Sequence, residues 1–328
     1  MAETILITGC AGFIGSHLAE NLISHGYRVL GLDNFNTYYD PAIKRRNVAH
    51  LVDNRNVELV EGDIRDHDLV DRLCTKHKPG QIVHLAARAG VRPSLEDPRL
   101  YQSVNGMGTQ VMLEAARRHG IDKVVLASSS SVYGNNRKLP FAEDDVLEGM
   151  VSPYAATKRA NELMCYTYHH LFGISMTCLR FFTVYGPRQG PEMAIHKFTR
   201  MIDRGEPIPF FGDGTSRRDY TYIDDIIEGV TAAVERRFDY EIINLGESHT
   251  ITLSELVSLI ETALGKTAVL DRRPHQPGDV VATYADITKA RKLLDYAPRT
   301  LPEEGVGRFV SWYRQQGPAE TYTLGANP

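Results

Sequence analysis

The sequence predicts an α/β protein, in which a doubly wound parallel sheet is followed by a smaller C-terminal α/β lobe. Short apolar runs alternate with amphipathic stretches over the first 186 residues, and a glycine-rich turn follows the first run. Near-continuous apolar strands that alternate with helices are typical of a parallel sheet buried on both faces. The chain has 328 residues, which is enough for two lobes at about 150 residues each.

The strands and helices of the first lobe follow from the spacing of the apolar residues. The first helix is predicted over residues 13–25, because Ile14, Leu18, Leu22 and Ile23 fall on one face. The predicted strands, with helical segments between most of them, cover residues 4–8, 28–32, 57–61, 81–85, 123–127 and 175–182. We assign residues 1–186 to this lobe, and later segments can return to its sheet.

The pattern changes after Gly186. Segments become shorter and proline and glycine more frequent, so residues 187–316 are predicted to form mainly a second, substrate-binding lobe. Helices are predicted within it over residues 252–264, where Thr252 can cap the first turn, and over residues 303–316. Residues 317–328 have no periodicity and are predicted to be a loose tail.

Composition and charge exclude several classes of protein. The chain is 42% hydrophobic and 24% charged, and its net charge of -4 provides no positive field that would attract a nucleic acid. Cys10, Cys74, Cys165 and Cys178 are too far apart for a zinc site, so we expect no metal and a reducing compartment. No apolar run approaches the ~20 residues of a membrane-spanning helix, and the first residues lack a basic leader. We therefore expect a cytoplasmic protein.

The glycine-rich turn predicts a dinucleotide site of the Rossmann type. Gly9, Gly12 and Gly15 let the backbone turn tightly, approach a diphosphate and pack the first helix on the sheet. Phe13 and Ile14 complete the turn and begin the helix, whose N-terminus offers free N–H groups. The turn is a weak signal by itself, and its place between a strand and a helix makes it a strong one.

Polar residues at the ends of the next strands extend this site. Asp33 ends the second strand 24 residues after Gly9, where a carboxylate accepts the ribose hydroxyls of NAD and repels the 2′-phosphate of NADP. We therefore predict NAD as the cofactor. Asp63 is predicted to bind the adenine amino group or, alternatively, to cap a helix. The other predicted cofactor contacts are Asn34, Ile64, Leu85, Ala86 and Ala87.

A Tyr/Lys pair provides a candidate general base. Ser152 is a natural helix cap and Pro153 suits the first helical position, so Tyr154 and Lys158 fall one turn apart on one face. The ammonium group and the positive helix end both favour phenolate, which predicts a lowered pKa for Tyr154. A run of serines at residues 128–131 ends the fifth strand, and one of its hydroxyls is predicted to bond a substrate oxygen.

Together these motifs resemble the extended short-chain dehydrogenase/reductase superfamily and, within it, the nucleotide-sugar 4-epimerases. The resemblance covers residues 4–312 and implies an NAD-dependent redox cycle on a UDP-sugar through a bound 4-keto sugar. It implies that Tyr154 takes the proton from O4 and that Lys158 holds ribose hydroxyls. Position relative to Tyr133 selects Ser129 as the catalytic hydroxyl, whereas counting from the strand end selects Ser130, and both remain open.

The resemblance extends to one subfamily, the UDP-glucuronate 4-epimerases. Residues 33–41 and 89–92 are similar to theirs, and Thr183 stands where most relatives that act on neutral sugars have asparagine. Against this, Gly190 occupies a position where glucuronate epimerases usually have arginine, and Arg188 is the expected substitute. The alternative substrate is a neutral UDP-hexose, such as UDP-glucose/galactose or its N-acetyl form.

The serine run argues against neighbouring activities. Related 4,6-dehydratases need an Asp-Glu pair, and UDP-glucuronate decarboxylases usually a glutamate, where this chain has Ser130 and Ser131. Neither serine is a general acid or base near neutral pH. Ser131 and Thr183 are expected to hold a substrate carboxylate out of alignment with the C4 carbonyl. A non-catalytic NAD-binding sensor is disfavoured because Tyr154 and Lys158 are both present.

The resemblance also implies phosphate contacts and an assembly. Arg218 lies where the family holds a UDP phosphate, and Arg272 or Arg273 is expected to supply a second cation, with Arg92 a weaker candidate. Relatives dimerise through a four-helix bundle, to which this chain would contribute residues 104–119 and 153–172. Leu163, Met164, Tyr168 and Leu171 are the apolar residues expected at that interface.

Overall fold

The computed structural model describes residues 2–147, 149–274 and 282–316. The predicted tail at residues 317–328 lies outside these ranges. In chain order the strands are β1 (Thr4–Thr8), β2 (Arg28–Asp33), β3 (Val57–Glu61), β4 (Gln81–His84), β5 (Lys123–Ser129), β6 (Ser175–Phe181), β7 (Thr183–Tyr185), β8 (Ile208–Phe211), β9 (Arg217–Tyr222), β10 (Tyr240–Leu245), β11 (Thr250–Thr252) and β12 (Leu270–Arg273).

The α-helices are joined by two short 3-10 turns and one π-helical segment. They are α1 (Phe13–Ser24), α2 (Pro41–Val48), α3 (His67–His77), α4 (Val91–Glu96), α5 (Pro98–Tyr101), α6 (Gly108–His119), α7 (Pro153–Phe172), α8 (Ala194–Asp203), α9 (Ile223–Glu235), α10 (Leu253–Leu264), α11 (Thr288–Leu294) and α12 (Pro302–Gln315). The π-helical segment Gln102–Met107 connects α5 to α6.

The centre of the fold is a seven-stranded sheet in the order β10-β6-β5-β4-β1-β2-β3. Every neighbouring pair in it is parallel. The predicted fold class is therefore confirmed, and the six predicted strands agree with β1 to β6 to within two residues at each end. The carboxyl ends of β1, β2, β4 and β5 lie at one edge, which is where ligands bind in such sheets.

Helices cover both faces of this sheet, because its strands alternate their side chains between two apolar clusters. Ile5 and Ile7 face the cluster that contains α1 and α9. Leu6 faces the cluster that contains α3, α6 and part of α7. All three side chains are fully buried, as expected for a sheet covered on both sides.

The remaining strands form two small sheets, in the orders β11-β9-β7 and β12-β8. Helices α8, α10 and α12 pack beside them. Thr252 and Glu255 form a capping box at the start of α10, which confirms the predicted cap. Strand β10 pairs with β6 and so belongs to the large sheet, and α9 packs on α1. The division at residue 186 stays a prediction.

Two further properties concern the described part of the chain. None of its helices combines the length and apolar character needed to cross a membrane. Within the same ranges no group of three or more His, Cys, Asp or Glu side chains is arranged to hold a metal ion. The four cysteines are free thiols and are buried.

Candidate active site

A cavity of about 580 Å³ opens at the carboxyl edge of the large sheet. Its wall contains residues from before and after position 186. Most residues predicted for the site line it. They are Gly9, Gly12, Phe13, Ile14, Gly15, Asp33, Asn34, Ile64, Leu85, Ala86, Ala87, Ser129, Ser130, Ser131, Tyr154, Lys158, Thr183 and Arg218. Four predicted residues, Asp63, Arg92, Arg188 and Arg273, are not part of this lining.

The glycine-rich turn has the close packing that a dinucleotide site requires. Gly9 has a φ of +72°, and a Cβ on it would lie 2.9 Å from the backbone nitrogen of Ala86. A Cβ on Gly15 would lie 2.1 Å from the carbonyl oxygen of Gly9. Gly12 is the N-cap of α1 and has no side chain to cap it. The first N–H groups of α1 are therefore available to a diphosphate beside the cavity.

Asp33 is buried at the end of β2, and its carboxylate is held by three donors. It accepts hydrogen bonds from the backbone N–H of Ala11 at 3.2 Å and of Phe35 at 2.9 Å. The third donor is Nζ of Lys44, at 3.0 Å. The loop after β2 is thereby fixed beside the cavity. The sequence indicated no ion pair for Lys44, because this contact depends on how α2 folds back onto the strand end.

Asp63 lies just outside the cavity lining and is tied to its neighbours. Arg65 donates to its carboxylate through Nε at 2.9 Å and Nη2 at 2.8 Å, and Asn34 donates at 3.0 Å. These bonds lower the pKa of Asp63 to about 2, and the side-chain hydrogen bonds from Arg65 have the largest effect. The alternative role as a helix cap is wrong, because α3 is capped by Asp66, which accepts from the N–H of Leu69. The predicted adenine contact stays a prediction.

The predicted Tyr/Lys pair lies in the first turns of α7, as the helix prediction placed it. Helix α7 begins at Pro153 and is capped by Ser152, which accepts from the N–H of Ala155. Lys158 is buried, and its Nζ donates to the carbonyl oxygen of Ala127 at 2.6 Å. The same Nζ is 5.9 Å from the centre of the Tyr154 ring.

The electrostatics of this pair differ from the prediction. Burial raises the pKa of Tyr154, and a hydrogen bond with Ser129 only partly opposes it. The expectation that Lys158 and the helix end lower this pKa is therefore wrong for the protein alone, because the ammonium is directed at Ala127 and the phenol is desolvated. Burial lowers the pKa of Lys158 to about 8, against the opposing effect of Glu162.

The serine run separates into groups with different partners. Ser129 lies near enough to Tyr154 to lower its pKa against the larger effect of burial. Its Oγ accepts from the N–H of Ser131 at 3.2 Å and from Oγ of Ser131 at 2.9 Å. Ser130 begins a 3-10 turn and also lines the cavity. Ser128 donates instead to Glu162 at 2.6 Å. Of the two serines left open by the sequence, Ser129 is the one that affects the pKa of Tyr154, and the choice between them stays a prediction.

A buried ion pair supports the catalytic helix from behind. Glu162 accepts from Nε of Arg180 at 2.8 Å and from Nη2 at 3.0 Å, and both side chains are almost fully buried. Arg159 and Ser128 complete its bonds. Because Glu162 follows Lys158 by one helical turn, the pair lies beside the catalytic ammonium. The sequence signal for it was a charged residue, Arg180, inside the apolar strand β6.

The predicted arginines fall into different environments. Arg218 lines the cavity and donates to the carbonyl oxygen of Arg217. Arg92 is exposed and stacks over the ring of Phe211 at 4.8 Å, while Arg273 is exposed and pairs with Asp271 at 2.6 Å. Arg272, the other candidate, stacks over Phe210 at 5.1 Å.

Arg188 does not substitute for the arginine that is absent at Gly190. Its Nη2 lies 2.6 Å from the carboxylate of Glu20, and its Nη1 donates to Ser16 at 3.3 Å. Both partners are on α1, so the guanidinium is turned away from the cavity, and the prediction that it contacts substrate is not supported. Arg188 precedes Gly190 by only two positions, and its side chain nevertheless extends toward α1 and not into the cavity.

Glu192 and Arg88 are charged residues of the cavity wall that sequence reasoning did not assign to the site. Glu192 lies against Gly190, where a Cβ would be 2.5 Å from its carboxylate, and burial raises its pKa. Arg88 follows β4 and stacks over the ring of Tyr38 at 5.0 Å. Both belong to loops, for which periodicity gives no orientation, and the only signal was their charge close to a strand end or a glycine.

Comparison with known proteins gives a consistent picture. Residues 6–309 match the family described as GDP-mannose 4,6 dehydratase. The chain is 42% identical over 311 residues to a UDP-glucuronate 4-epimerase of Thermodesulfobacterium geofontis, which covers 94% of this chain and 96% of that one.

Solved structures are similar over the same length. A crystal structure of UDP-glucuronic acid 4-epimerase from Bacillus cereus, in complex with UDP-glucuronic acid and NAD, has a TM-score of 0.91 at 38% identity and covers 95% of this chain and 99% of that one. The UDP-glucose 4-epimerase of Thermotoga maritima, with UDP-glucose, has a TM-score of 0.88 at 33% identity and the same coverage.

Proposed function

Because the chain belongs to the GDP-mannose 4,6 dehydratase family, and because one cavity joins a dinucleotide turn to a Tyr/Ser/Lys cluster, we propose that the protein is an NAD-dependent UDP-sugar 4-epimerase. Its proposed substrates are UDP-glucuronate and UDP-galacturonate. The observation that carries the proposal is that Ser129, Tyr154 and the buried Lys158 line one cavity together with the glycine-rich turn, with Nζ of Lys158 5.9 Å from the centre of the Tyr154 ring.

NAD supplies a hydride acceptor that returns the same hydride, together with a positive charge that favours the Tyr154 phenolate. Gly9, Gly12 and Gly15 fit its diphosphate, and Asp33 fits its adenosine ribose. The Lys44 ion pair neutralises part of the Asp33 charge, but the carboxylate remains beside the cavity. Lys158, whose pKa is about 8, is mostly an ammonium at neutral pH and suits the second ribose.

Tyr154 and Ser129 handle the proton. As the hydride leaves C4 of the sugar, the Tyr154 oxygen takes the proton of the C4 hydroxyl and a ketone forms at C4. Ser129 accepts from Ser131 and so directs its own proton toward Tyr154 and the sugar oxygen. Once the sugar presents its other face, the hydride returns and Tyr154 gives back the proton, so the reaction has no net oxidation.

The sugar carboxylate is assigned to hydroxyls near the same edge. Ser131 and Thr183 line the cavity, and neither is a general acid or base at neutral pH. A 4-keto glucuronate is a β-keto acid that loses CO2 when its carboxylate aligns with the carbonyl. We assign Ser131 and Thr183 the task of preventing that alignment.

A neutral UDP-hexose is the second candidate, and Glu192 is the observation that favours it. Its carboxylate lies against Gly190 in the cavity wall and would repel a substrate carboxylate if it were ionised. Burial raises the pKa of Glu192, which reduces this repulsion. Thr183 and the serine run therefore decide our preference for glucuronate.

A chromatographic assay of the purified protein tests these alternatives. We expect UDP-glucuronate and UDP-galacturonate to interconvert without a net change in NAD. Turnover of UDP-glucose to UDP-galactose alone would select the neutral sugar. UDP-xylose and CO2 as main products would instead identify a decarboxylase.

The UDP diphosphate is assigned to Arg218 and to the cations around Lys197. Arg218 lines the cavity, and Lys197 lies near enough to Arg200, Arg92 and Arg273 that these charges, after burial, lower its pKa. Such a concentration of positive charge suits a diphosphate.

We further propose a cytoplasmic homodimer. All four cysteines are free thiols, which fits a reducing compartment. The proposed four-helix bundle uses α6 with the preceding π-helical turn, and α7. Met107, Leu163 and Leu171 are 56%, 53% and 62% exposed there, as is much of Tyr166. Met164 and Tyr168 are half-buried, and Tyr168 donates to Glu114. Light scattering that gives a monomer mass would contradict this assembly.

A further inference from the structure

The positively charged side chains that line the cavity differ in whether they already have a hydrogen-bond or ion-pair partner within the protein. Lys44 pairs with Asp33, and Arg65 pairs with Asp63. Nζ of Lys158 donates to the carbonyl oxygen of Ala127. Arg88 is different. Among the residues that the structure describes, no carboxylate lies within ion-pair distance of its guanidinium, and its Nη1 is buried without a hydrogen-bond partner.

This guanidinium is nevertheless held in a defined place. The backbone N–H of Arg88 donates to Asn105 at 2.8 Å, and Nδ2 of Asn105 donates both to the carbonyl oxygen of Arg88 and to Oγ1 of Thr157, at 3.1 Å each. Thr157 belongs to the catalytic helix α7. These bonds fix the backbone of Arg88, and its guanidinium stacks on the ring of Tyr38. The hydroxyl of Tyr38 donates in turn to the carbonyl oxygen of Ala89 at 3.2 Å. A preorganised cation with an unsatisfied donor is suited to an oxyanion ligand.

The strand order indicates which oxyanion this is. Arg88 follows β4, Tyr38 follows β2, and β1 lies between these two strands in the sheet. Because Arg88 reaches Tyr38, the stacked pair spans the end of β1, where the glycine-rich turn begins α1. In doubly wound sheets the diphosphate of a dinucleotide lies at this turn. Thr183, in contrast, follows β6, on the far side of β4 and β5.

We propose that Arg88 binds the diphosphate of the dinucleotide cofactor, together with the N–H groups at the start of α1. The glycine-rich turn has no cation of its own, and a guanidinium offers the paired donors that phosphate oxygens accept. The inference deepens the proposed function, because an epimerase must keep its cofactor through both half-reactions. Arg88 strengthens that retention.

The neighbouring carboxylate does not cancel this charge. Glu192 is near enough to Tyr38 and Tyr39 to raise the pKa of both phenols, after the larger effect of burial. Burial raises the pKa of Glu192 itself, and Lys44 opposes that effect. Burial therefore opposes ionisation of Glu192, and the structure places no ion pair between this carboxylate and the Arg88 guanidinium among the residues it describes.

The test compares ligands that share a nucleoside and differ in the diphosphate. Cofactor-stripped wild type, Arg88→Gln and Arg88→Lys are titrated calorimetrically with NAD, ADP-ribose and adenosine. We expect Arg88→Gln to weaken NAD and ADP-ribose about 10- to 100-fold, the range for hydrogen bonds to a charged group. Adenosine binding should not change. Arg88→Lys should fall between, because an ammonium cannot make paired bonds.

Arg99→Gln is the matched control, because Arg99 is exposed and outside the cavity lining. It should bind all three ligands like the wild type. Retention of NAD through gel filtration gives a second readout, and it should fall in Arg88→Gln. If that variant does not fold, Arg88→Lys carries the same comparison of ADP-ribose with adenosine.

Two results would overturn the inference. One is unchanged affinity of Arg88→Gln for NAD and ADP-ribose. The other is a selective loss of UDP-glucuronate turnover with normal NAD binding, which would assign Arg88 to the sugar carboxylate. The ligand titrations need no catalysis, so an absence of epimerase activity in the wild type would refute the proposed function and leave this inference standing.

Discussion

The two walls of the cavity are built differently. On the large-sheet wall, the functional groups lie at strand ends and on α7. Lys158 donates there to the carbonyl oxygen of Ala127, and Ser129 accepts two hydrogen bonds from Ser131. On the smaller-lobe wall, Thr183 and Glu192 come from a three-residue strand and a loop. In the proposed function the sheet wall carries the groups that move the proton, while Thr183 on the other wall acts with Ser131 in selecting the sugar. Substitutions on the two walls should therefore have different signatures.

The largest effect should come from Tyr154→Phe on the sheet wall. Removing the proton acceptor should lower kcat by about 10²- to 10⁴-fold, the usual contribution of general acid–base catalysis. NAD affinity should stay close to that of the wild type, because the ring and its contact with Tyr101 remain. Steady-state kinetics and NAD titration measure both, and a fully active variant would refute the assigned base.

Glu162→Gln should change both the pKa of Lys158 on the same wall and the stability of the protein. The carboxylate raises the pKa of Lys158, so its loss should lower that pKa further below about 8 and move the alkaline decline of kcat to lower pH. It also leaves Arg180 buried without its partner, which costs about 3–5 kcal/mol in the free energy of unfolding.

A pH–rate profile and urea denaturation separate the two consequences of Glu162→Gln. Arg159→Gln is the control, because it removes a more exposed partner of Glu162 and keeps the buried pair. An unchanged alkaline limb in Glu162→Gln would show that the carboxylate has only a structural role.

Thr183→Asn tests the wall that selects the sugar. We expect kcat/KM for UDP-glucuronate to fall relative to UDP-glucose by about 10-fold, roughly the effect of one lost hydrogen bond to a charged group. NAD affinity should not change. Equal losses for both sugars would place Thr183 in the common chemistry and remove the distinction between the walls.

Glu247→Gln should give the smallest effect, on stability alone. Burial, followed by Asp225 and Asp219, raises the pKa of Glu247 to about 8. The folded state therefore holds a proton that the unfolded state releases above its usual pKa near 4.5, so this group makes the wild type less stable as pH rises toward 8. The variant should lose that slope, so its Tm relative to that of the wild type should rise from pH 5 to pH 8. Thermal denaturation at both pH values measures it.

The sequence predicted those features whose cause lies within a few neighbouring residues, and it did not predict those that depend on the tertiary fold. The strands β1 to β6, the glycine turn and the start of α7 follow from periodicity and caps, which act over a few residues. The contacts of Lys44 and Arg88 depend on loops that fold back across several strands. Arg188 was expected at the substrate but bonds Glu20 and Ser16 of α1, because a sequence offset of two residues does not fix the direction of a side chain.

The same limit explains the pKa of Tyr154. The sequence indicates that Lys158 is a neighbour one turn away, and this is correct. It does not indicate how completely the phenol is desolvated, and that quantity decides the sign of the shift. Burial is a property of the whole fold, whereas the Tyr/Lys spacing is a property of five residues.

Strand β10 ties a late segment of the chain to the large sheet, most of which is built from the first 181 residues. It pairs with β6 along six residues, although 58 residues separate the end of one from the start of the other. A fragment that stops at residue 186 would leave β6 as an open edge, with unpaired backbone groups that invite intermolecular strand addition. Such a fragment should aggregate, and the parts of this protein are therefore not interchangeable modules.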